Sequence, residues 1–521
     1  MQNQEQTMNT ASATRAAERP STTHAKVAII GSGFAGLGLA IQLRRRGEHD
    51  FIVLERAGDV GGTWRDNTYP GAACDIQSHL YSYSFRPNPD WSRVYATQPE
   101  IHAYLREAAI DEGVMPHITF DAELLESTWQ PEEQRWALET TAGSFTADFV
   151  VTAAGHLSDP KLPDIPGLEK FDRPMFHSAQ WDHSFDPAGK RVGVIGSGAS
   201  GIQIVPELAK AAEQLTVFQR SAPYLIPRVD HEYSDAQKTI FRRMPETAQA
   251  LRDELYWGNE ARFPQRRGIA DFIAKIEATA RDHLQAQVPA GELRDKLTPD
   301  YMIGCKRILI SNDYYPTFLR DNVALETSGI VEVTETGILT NDGEVELDAL
   351  VLCTGFEAAD LPITHRIFDE HGRSMAESWT RGGAAYACST VAGYPNLFIM
   401  NGPNSGLGAG SIIFIIESQI RYILGALDHM TDTGAAVIEI TQDAQDAFID
   451  SVDARAADTV WLNGGCHSWY VDHRYGRLTT VWPDFMHKFR REAGTFRPDE
   501  YRFDGELAMA ERERELEGVR A

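Results

Sequence analysis

The sequence has few cysteines and no long apolar segment. No apolar run approaches the roughly 20 residues that a membrane span requires, and the run at residues 411–416 is far shorter. The cysteines form no CxxC motif, which argues against a metal site or a disulfide framework, so we predict no metal and expect reduced, mostly buried thiols. The five cysteines are Cys74, Cys305, Cys353, Cys388 and Cys466.

Basic residues are also scarce relative to acidic ones. The chain of 521 residues has 49 lysines and arginines against 75 aspartates and glutamates, a net charge of −26 at pH 7. Phosphate-rich partners would be repelled, so we expect neither nucleic acid nor an anionic membrane as a partner. The first 25 residues are polar and lack a hydrophobic signal core. A disordered tail and a cytoplasmic location are therefore predicted.

Glycine, by contrast, is concentrated in two similar motifs. Residues 31–36 (GSGFAG) follow the apolar run 27–30, and residues 196–201 (GSGASG) follow the apolar run 192–195. A strand, a glycine-rich turn and an apolar helix in this order place a pyrophosphate on the N-terminus of the helix. We therefore predict an α/β fold with two Rossmann-like dinucleotide-binding domains.

The two motifs are followed by opposite charges. Glu55 stands 24 positions after Gly31, and Arg220 stands 24 positions after Gly196, each at the end of a second apolar run. A carboxylate at this position accepts hydrogen bonds from a ribose diol, whereas a guanidinium pairs with a 2′-phosphate. The first site is thus predicted to bind FAD or NAD and the second to bind NADPH. A protein with both cofactors transfers hydride and often activates oxygen.

The chain is long enough for two or three domains. The apolar runs 149–155 and 350–356 both end near a glycine, and we expect both to return to the first cofactor. The segment 118–140 has the alternation of an antiparallel meander. The predicted units are a disordered tail (1–25), the first part of the FAD domain (26–160), a linker (161–189), the NADPH domain (190–345) with a helical insertion at about 234–299, the second part of the FAD domain (346–502) and a C-terminal tail (503–521).

From about residue 27 to residue 490, the chain resembles the flavin-dependent Baeyer–Villiger monooxygenases. The family fingerprint is Phe-x-Gly-x-x-x-His-x-x-x-Trp followed by Pro or Asp. Phe171, His177, Trp181 and Asp182 match it, whereas Arg173 stands where the family has glycine. The resemblance implies a monooxygenase that uses FAD, NADPH and O2 to convert ketones to esters or lactones through a flavin peroxide. Further family signatures lie at residues 61–64, 69–75, 304–307, 353–356 and 401–405.

The resemblance also implies roles for individual residues. Arg307 matches the arginine over the flavin, Lys306 matches a lysine that joins Arg220 on the 2′-phosphate, and Asp75 matches the carboxylate beside that arginine. A fixed guanidinium would stabilise the anionic adduct of a ketone, which makes Arg307 and Asp75 the catalytic candidates. Without the resemblance, residue type alone would favour a solvated surface pair at 306–307.

The expected binding residues fall into three sets. For the cofactors they are Gly31, Gly33, Phe34, Ala35, Gly36, Glu55, Arg56, Gly62, Thr63, Trp64, Asp75, Tyr81, Gly196, Ser197, Gly198, Ala199, Ser200, Gly201, Gln203, Arg220, Ser221, Lys306, Arg307, Thr354 and Gly355. For the substrate they are Leu157, Leu407, Gly408 and Ala409, with His156 at the start of the pocket and Trp469 and Tyr470 over the nicotinamide. Phe171, His177 and Trp181 form the fingerprint. For His177, a hydrogen bond within the linker is expected at least as strongly as a role in acid–base chemistry.

Two alternatives stay open at this point. A flavin monooxygenase that oxygenates nitrogen or sulfur shares both nucleotide folds, and Trp181 together with residues 306–307 argues against it. A non-oxygenating flavoprotein, such as a disulfide reductase or a redox sensor, is the second alternative. A reductase needs a redox-active cysteine pair beside the flavin, and the sequence has no CxxC or CxxxxC motif. The expected partners are a small ketone and O2, and the chain is either a monomer or a homo-oligomer.

Overall fold

The computed structural model describes residues 23–504. The predicted tails lie outside this range, except that residues 23–25 begin the first strand and residues 503–504 are described. The strands are β1 (Thr23–Ile30), β2 (Phe51–Leu54), β3 (Ile118–Thr119), β4 (Leu124–Gln130), β5 (Arg135–Thr140), β6 (Gly143–Thr152), β7 (Met175–His177), β8 (Arg191–Ile195), β9 (Gln214–Phe218), β10 (Leu225–Ile226), β11 (Leu309–Ile310), β12 (Val323–Glu326), β13 (Ile330–Val333), β14 (Gly337–Thr340), β15 (Gly343–Glu346), β16 (Ala349–Leu352), β17 (Ile367–Phe368), β18 (Leu397–Ile399), β19 (Ile438–Ile440), β20 (Val471–Asp472), β21 (Arg477–Leu478) and β22 (Tyr501–Phe503).

The helices cover the sheets and fill the region between them. They are α1 (Phe34–Arg45), α2 (Thr63–Asp66), α3 (Gln98–Asp111), α4 (Gly201–Leu208), α5 (Asp235–Arg243), α6 (Pro245–Glu260), α7 (Phe263–Arg266), α8 (Ala270–Gln287), α9 (Glu292–Lys296), α10 (Tyr314–Thr317), α11 (Met375–Ser378), α12 (Ile412–Thr433), α13 (Gln442–Ala456), α14 (Val460–Asn463) and α15 (Met486–Ala493).

The first sheet has eight strands, in the order β17-β4-β5-β6-β1-β2-β3, with β18 also paired to β6. Strands β1, β2 and β6 run parallel, and β4, β5 and β6 form the predicted antiparallel meander. Strand β3 was expected in that meander, but it pairs in parallel with β2. Helix α1 buries Leu37, Leu39 and Ile41, and the long helix α12 packs against it. This packing closes one face of the first sheet.

The second sheet is parallel throughout, in the order β12-β9-β8-β16-β7. Its buried strands are nearly continuous apolar runs, as a parallel sheet covered on both faces requires. Two of its strands contradict our predicted boundaries. Strand β16 was expected to return to the first cofactor, yet Leu350 and Leu352 pair with Gly193 and Ile195 of β8. Strand β7 comes from the predicted linker and forms the edge beside β16.

Helices α5 to α9 occupy the segment in which a helical insertion was predicted. The first of them begins at a capping box, in which the Ser234 side chain accepts from the Gln237 backbone NH and the Gln237 side chain bonds back to Ser234. This helix begins at Asp235, one position after the predicted start of about 234. No helix within residues 23–504 is both long enough and apolar enough to cross a membrane.

One prediction about the cysteines is wrong. Cys305 and Cys466 form a disulfide, whereas Cys74, Cys353 and Cys388 are free and buried. The two paired residues are 161 positions apart, and the fold brings their Cα atoms to 6.1 Å. Motif spacing reveals only pairs that are close in sequence, so it could not predict this contact.

Candidate active site

The first glycine loop (residues 31–36) joins β1 to α1. Gly31 has a φ of +103°, and a Cβ there would lie 2.8 Å from the carbonyl oxygen of Ala153 in the turn after β6. Gly33 faces Gly62 so closely that a Cβ on Gly62 would lie 3.2 Å from the Cα of Gly33. Bare backbone on both sides of this crevice lets a pyrophosphate approach the loop, so these residues fit a dinucleotide.

Glu55 directly follows β2 and is 3% exposed. One oxygen, Oε2, accepts from the Ser32 backbone NH at 2.9 Å and from the Ser32 hydroxyl at 2.6 Å. The other, Oε1, accepts from the Ala57 NH at 2.9 Å and from the Arg65 Nη1 at 2.8 Å. A ribose diol must therefore share or replace one of these four donors, since a carboxylate has about four lone-pair positions.

Aromatic rings pack beside this loop. The Trp64 indole NH donates to the Tyr81 hydroxyl at 3.1 Å, and the Tyr81 ring meets the Phe34 ring edge-on at 5.3 Å. The Thr63 hydroxyl donates to the carbonyl of Leu157 at 3.5 Å. These predicted residues thus lie together on one side of the first loop. Arg56 instead bonds to Asp159 at 2.7 Å, at the protein surface.

The second glycine loop (residues 196–201) joins β8 to α4. A Cβ on Gly196 would contact the carbonyl oxygen of Cys353, while Gly198 has open space around it. This arrangement also fits a dinucleotide, because the exposed turn leaves room for phosphates at the start of α4. Thr354 and Gly355 follow β16 of the second sheet, and the Thr354 hydroxyl donates to the Lys161 carbonyl at 2.6 Å, in the segment that follows β6.

The side chain of Gln203 on α4 forms hydrogen bonds with residues of the first domain. Its Oε1 accepts from the Tyr69 hydroxyl at 3.0 Å, and its Nε2 donates to the Ala73 carbonyl at 3.0 Å. The backbone of α4 also packs closely against Gly71 of the first domain. A Cβ on Gly71 would lie 2.8 Å from the Gln203 carbonyl oxygen. Gln203 therefore ties the second domain to the segment that carries Asp75.

The residues that we name the phosphate cluster are Arg220, Ser221 and Lys306. The Lys306 Nζ donates to the Ser221 hydroxyl at 2.6 Å and lies 4.8 Å from the centre of the Tyr301 ring. Burial, and then the nearby charge of Arg220, lower the pKa of the Lys306 ammonium. Two cations held this close favour a bound anion.

Arg307, the next residue, faces Asp75 across the two domains. Its Nε donates to Asp75 Oδ2 at 2.8 Å, and its Nη2 donates to Oδ1 at 2.7 Å. The charge of Asp75 is the main cause that raises the pKa of Arg307 above its usual value. Tyr470, which is buried, also lies against this guanidinium. The side chain is 30% exposed, so it is fixed by partners yet open to the cleft.

The segment that we name the substrate loop comprises residues 406–410 and includes three of the predicted substrate residues: Leu407, Gly408 and Ala409. The carbonyl of Gly408 accepts from Arg266 Nη2 at 2.6 Å. The Trp461 ring packs against Gly408 so closely that a Cβ there would clash. The substrate loop is therefore held from outside by residues that we did not predict.

Three further residues predicted at the pocket, His156, Trp469 and Tyr470, contact one another through their rings. The His156 ring stacks on Trp469 at 6.2 Å, and the Trp469 ring contacts Tyr470 at 4.6 Å. Burial lowers the pKa of His156 to about 4, so the imidazole is neutral at pH 7. Trp469 is 40% exposed.

The fingerprint residues lie in the second domain. His177 ends β7, and its Nδ1 accepts from the Ala179 NH at 3.1 Å. Burial lowers the pKa of His177, and Trp181 packs edge-on against Phe176 at 5.0 Å. Arg173, which replaces the family glycine, donates to Asp348 at 2.9 Å on the surface of this domain.

Sequence reasoning missed Ser32, Arg65, Arg266 and Trp461. Ser32 lies inside the first motif and Arg65 directly follows residues 61–64, so their positions carried a usable signal. Arg266 and Trp461 gave none, because their contacts with Gly408 join segments that are distant in sequence.

Comparison with known proteins agrees with this geometry. A family model described as flavin-binding monooxygenase-like matches residues 24–259. A Baeyer-Villiger monooxygenase of Streptomyces coelicolor is 47% identical over 472 residues, which cover 90% of this chain and 91% of the relative. The crystal structure of cyclohexanone monooxygenase from Rhodococcus sp. Phi1 bound to NADP+ has a TM-score of 0.82 and 26% identity, and the match covers 93% of this chain and all of that one. A structure titled OTEMO complex with FAD and NADP has a TM-score of 0.82 and 26% identity, and covers 94% of this chain.

Two glycine loops, one on each large sheet, and the match of residues 24–259 to the flavin-binding monooxygenase-like model define the class of the protein. Within that class, the 47% identity over nine-tenths of the chain is decisive. The chain belongs to the Baeyer–Villiger monooxygenases, which confirms the family inferred from the fingerprint and the signatures.

Proposed function

We propose that this chain uses NADPH and O2 to convert a ketone to an ester or lactone, with FAD at the first glycine loop and NADPH at the second. One observation carries the proposal. The consecutive residues Lys306 and Arg307 face different partners: the Lys306 ammonium bonds Ser221 of the phosphate cluster, and the Arg307 guanidinium bonds Asp75 of the first domain. One peptide bond thus connects the side chains that face the two proposed cofactor sites.

At the first site, the backbone of residues 31–36 would hold the pyrophosphate and Glu55 would hold the ribose. Bound FAD would supply the chemistry that accepts hydride and activates O2. Trp64, Tyr81 and Phe34 form a packed aromatic wall next to this position. Their role in the proposal is to exclude water and orient the cofactor.

At the second site, the phosphate cluster would bind the 2′-phosphate of NADPH. Arg220 is exposed and Lys306 is half-buried, so both can reach a ligand without disrupting the core. The planar guanidinium and the ammonium together would favour a dianion over the neutral hydroxyl of NADH. Cofactor preference is therefore assigned to these two side chains.

Arg307 would act on the substrate. Its Nε and Nη2 edge is occupied by Asp75, which leaves the Nη1 end of the fork directed away from the ion pair. A guanidinium held in this way can donate to a ketone oxygen and stabilise negative charge that develops there. Asp75 would position the guanidinium without contacting the ketone.

The experiment that tests this function measures ester formed per NADPH consumed. We expect purified protein to be yellow, to oxidise NADPH in the presence of one or more ketones, and to release ester or lactone. The panel should contain linear, cyclic and aryl ketones together with a tertiary amine and a sulfide. Amine or sulfide oxides without any ester would favour the N- or S-oxygenating alternative and contradict the proposal.

A further inference from the structure

Two histidines, His467 and His473, lie beside the phosphate cluster. His467 and His473 stack face to face, with ring centres 3.6 Å apart and planes 18° from parallel. His473 Nε2 lies 2.9 Å from the Ser468 carbonyl oxygen and therefore donates to it. The ring of His467 is exposed and is not held in this way. The exposed imidazole is thus the one that can turn toward a ligand.

The disulfide places His467 at the cluster. Cys305 directly precedes Lys306, Cys466 directly precedes His467, and the two cysteines are bonded with a Cα–Cα distance of 6.1 Å. The Lys306 Nζ in turn bonds the Ser221 hydroxyl at 2.6 Å. A covalent link therefore holds His467 near the two cations that carry the proposed phosphate site.

The surroundings of His467 are cationic. Burial, then the neighbouring His473, Arg220 and Lys306, lower its pKa, so the free imidazole is neutral at pH 7. The negative charge of Asp300 raises the pKa of Lys306 and so opposes part of the lowering by burial and by Arg220. Arg474, which follows His473 in sequence, donates to the Asp472 carboxylate at 2.9 Å. An imidazole among cations gains a proton readily only when an anion arrives, since the added charge is otherwise repelled.

We propose that His467 is a third ligand for the 2′-phosphate of NADP(H) and that it takes up a proton when the phosphate binds. The proposal rests on the assignment of that phosphate to Arg220 and Lys306. The proton comes from solvent and ends on the imidazole, so the bound dianion faces three cationic groups. A phosphate oxygen would then accept from an imidazolium N–H, and the stacked ring of His473, which is held by the Ser468 carbonyl, would support the His467 ring from behind.

The test is isothermal titration calorimetry of NADP+ into the FAD-loaded enzyme at pH 7.5, in Tris and in HEPES. These buffers differ in ionisation enthalpy, so the difference in observed heat gives the number of protons taken up. Free 2′-phosphate is already mostly dianionic at this pH, because its pKa is near 6. We expect uptake of a fraction of one proton in the wild type and none in His467→Gln.

Affinity gives a second readout. His467→Gln should bind NADP+ on the order of tenfold more weakly than wild type at pH 6.5, and the difference should shrink toward pH 8.5, where the wild-type imidazole is neutral even in the complex. His371→Gln is the matched control, because His371 is also exposed and lies beside Glu370 instead of the cluster. It should behave as wild type in both readouts.

Two results would overturn parts of the proposal separately. If Arg220→Ala loses its preference for NADP+ while His467→Gln keeps wild-type affinity and proton uptake, the phosphate site stands and the role of His467 is wrong. If Arg220→Ala binds NADP+ as tightly as wild type, the proposed phosphate site itself is wrong. Cys466→Ser, which frees the segment without removing the imidazole, should weaken the dependence on pH.

Discussion

Arg307 and Asp75 are 232 residues apart in sequence and form a bidentate ion pair, with contacts of 2.8 Å at Nε and 2.7 Å at Nη2. The carboxylate raises the pKa of the guanidinium, so Arg307 is charged at neutral pH. The two parallel bonds also fix the plane of the fork. A rotated or mobile guanidinium could not keep one end directed at a reacting oxygen.

Arg307→Ala is expected to abolish ester formation while leaving the fold intact, because the side chain points into the cleft and is 30% exposed. Loss of one preorganised donor at a developing anion commonly costs about 100-fold or more in rate. NADPH consumption should persist in part, with hydrogen peroxide as its product. Arg307→Lys should restore little, because a point charge does not reproduce the planar fork.

Asp75→Ala is expected to have a milder effect than Arg307→Ala, because it removes the partner that orients the guanidinium but leaves the guanidinium itself in place. We expect slower NADPH oxidation and a smaller loss of ester than in Arg307→Ala. The measurement is ester per NADPH with any accepted ketone. Wild-type coupling in Arg307→Ala would show that residues 306–307 are the solvated surface pair that residue type alone favoured.

Arg220→Ala is expected to shift cofactor preference from NADPH toward NADH. A charge-assisted hydrogen bond contributes about 1.5–3 kcal/mol, so removal of one should lower the ratio of kcat/KM values for NADPH over NADH by roughly tenfold to a hundredfold. Arg173→Ala is the control, because that arginine bonds Asp348 on the surface of the second domain. An unchanged ratio in Arg220→Ala would show that the cluster does not bind the 2′-phosphate.

Glu55→Lys is expected to purify with much less FAD than wild type. The change removes an acceptor for the ribose diol and places a cation beside Arg65, which now bonds the carboxylate at 2.8 Å. Flavin per protein, measured from absorbance, gives the occupancy. Glu139→Lys, an exposed charge reversal on β5, should keep its flavin. Full occupancy in Glu55→Lys would contradict the placement of FAD at the first loop.

Local patterns predicted both glycine loops, because a strand, a tight turn and an apolar helix follow one another within a few residues. The same patterns did not place β16. An apolar run of four residues that ends near a glycine fits either sheet, and only its pairing with Gly193 and Ile195 assigns it to the second. The strand within residues 350–356 was therefore expected in the wrong sheet.

The residue roles were predicted through the family motifs, and contacts distant in sequence limited what those motifs could reveal. Arg307 and Asp75 each lie in a signature, so their partnership could be expected. Gly408 lies in the predicted substrate loop, but its partner Arg266 is 142 positions away in a segment without a motif. The Cys305–Cys466 disulfide was missed for the same reason.

Cys466→Ser is expected to lower the stability of the protein toward unfolding. The disulfide closes a loop of 161 residues, and removal of such a link typically costs about 2–5 kcal/mol. Thermal unfolding of the FAD-loaded enzyme, followed by circular dichroism, should show a lower Tm. Cys388→Ser changes a buried free thiol and serves as control. The same Tm with and without a reductant in the wild type would argue against the bond.

Arg266→Met is expected to raise the KM for the ketone about fivefold to tenfold, with little change in kcat and none in the Kd for NADP+. The guanidinium is 6% exposed, and its Nη2 holds the Gly408 carbonyl at 2.6 Å. Burial lowers its pKa to about 10. Methionine fills similar space but cannot donate, so the substrate loop would lose its fixed position. Stability should change little, because no carboxylate within residues 23–504 acts on Arg266 and its replacement therefore leaves no buried opposite charge without a partner.

Arg267→Met is the matched control for this prediction, since the neighbouring guanidinium also donates to a backbone carbonyl at 2.6 Å, that of Arg455, which lies outside the substrate loop. Its KM for the ketone should remain that of the wild type. Arg266→Lys should recover part of the loss, because an ammonium retains a donor but lacks the reach of the fork. An equal rise of KM in Arg266→Met and Arg267→Met would show that both residues only support the helical insertion. An unchanged KM in Arg266→Met would show that Arg266 does not affect substrate binding.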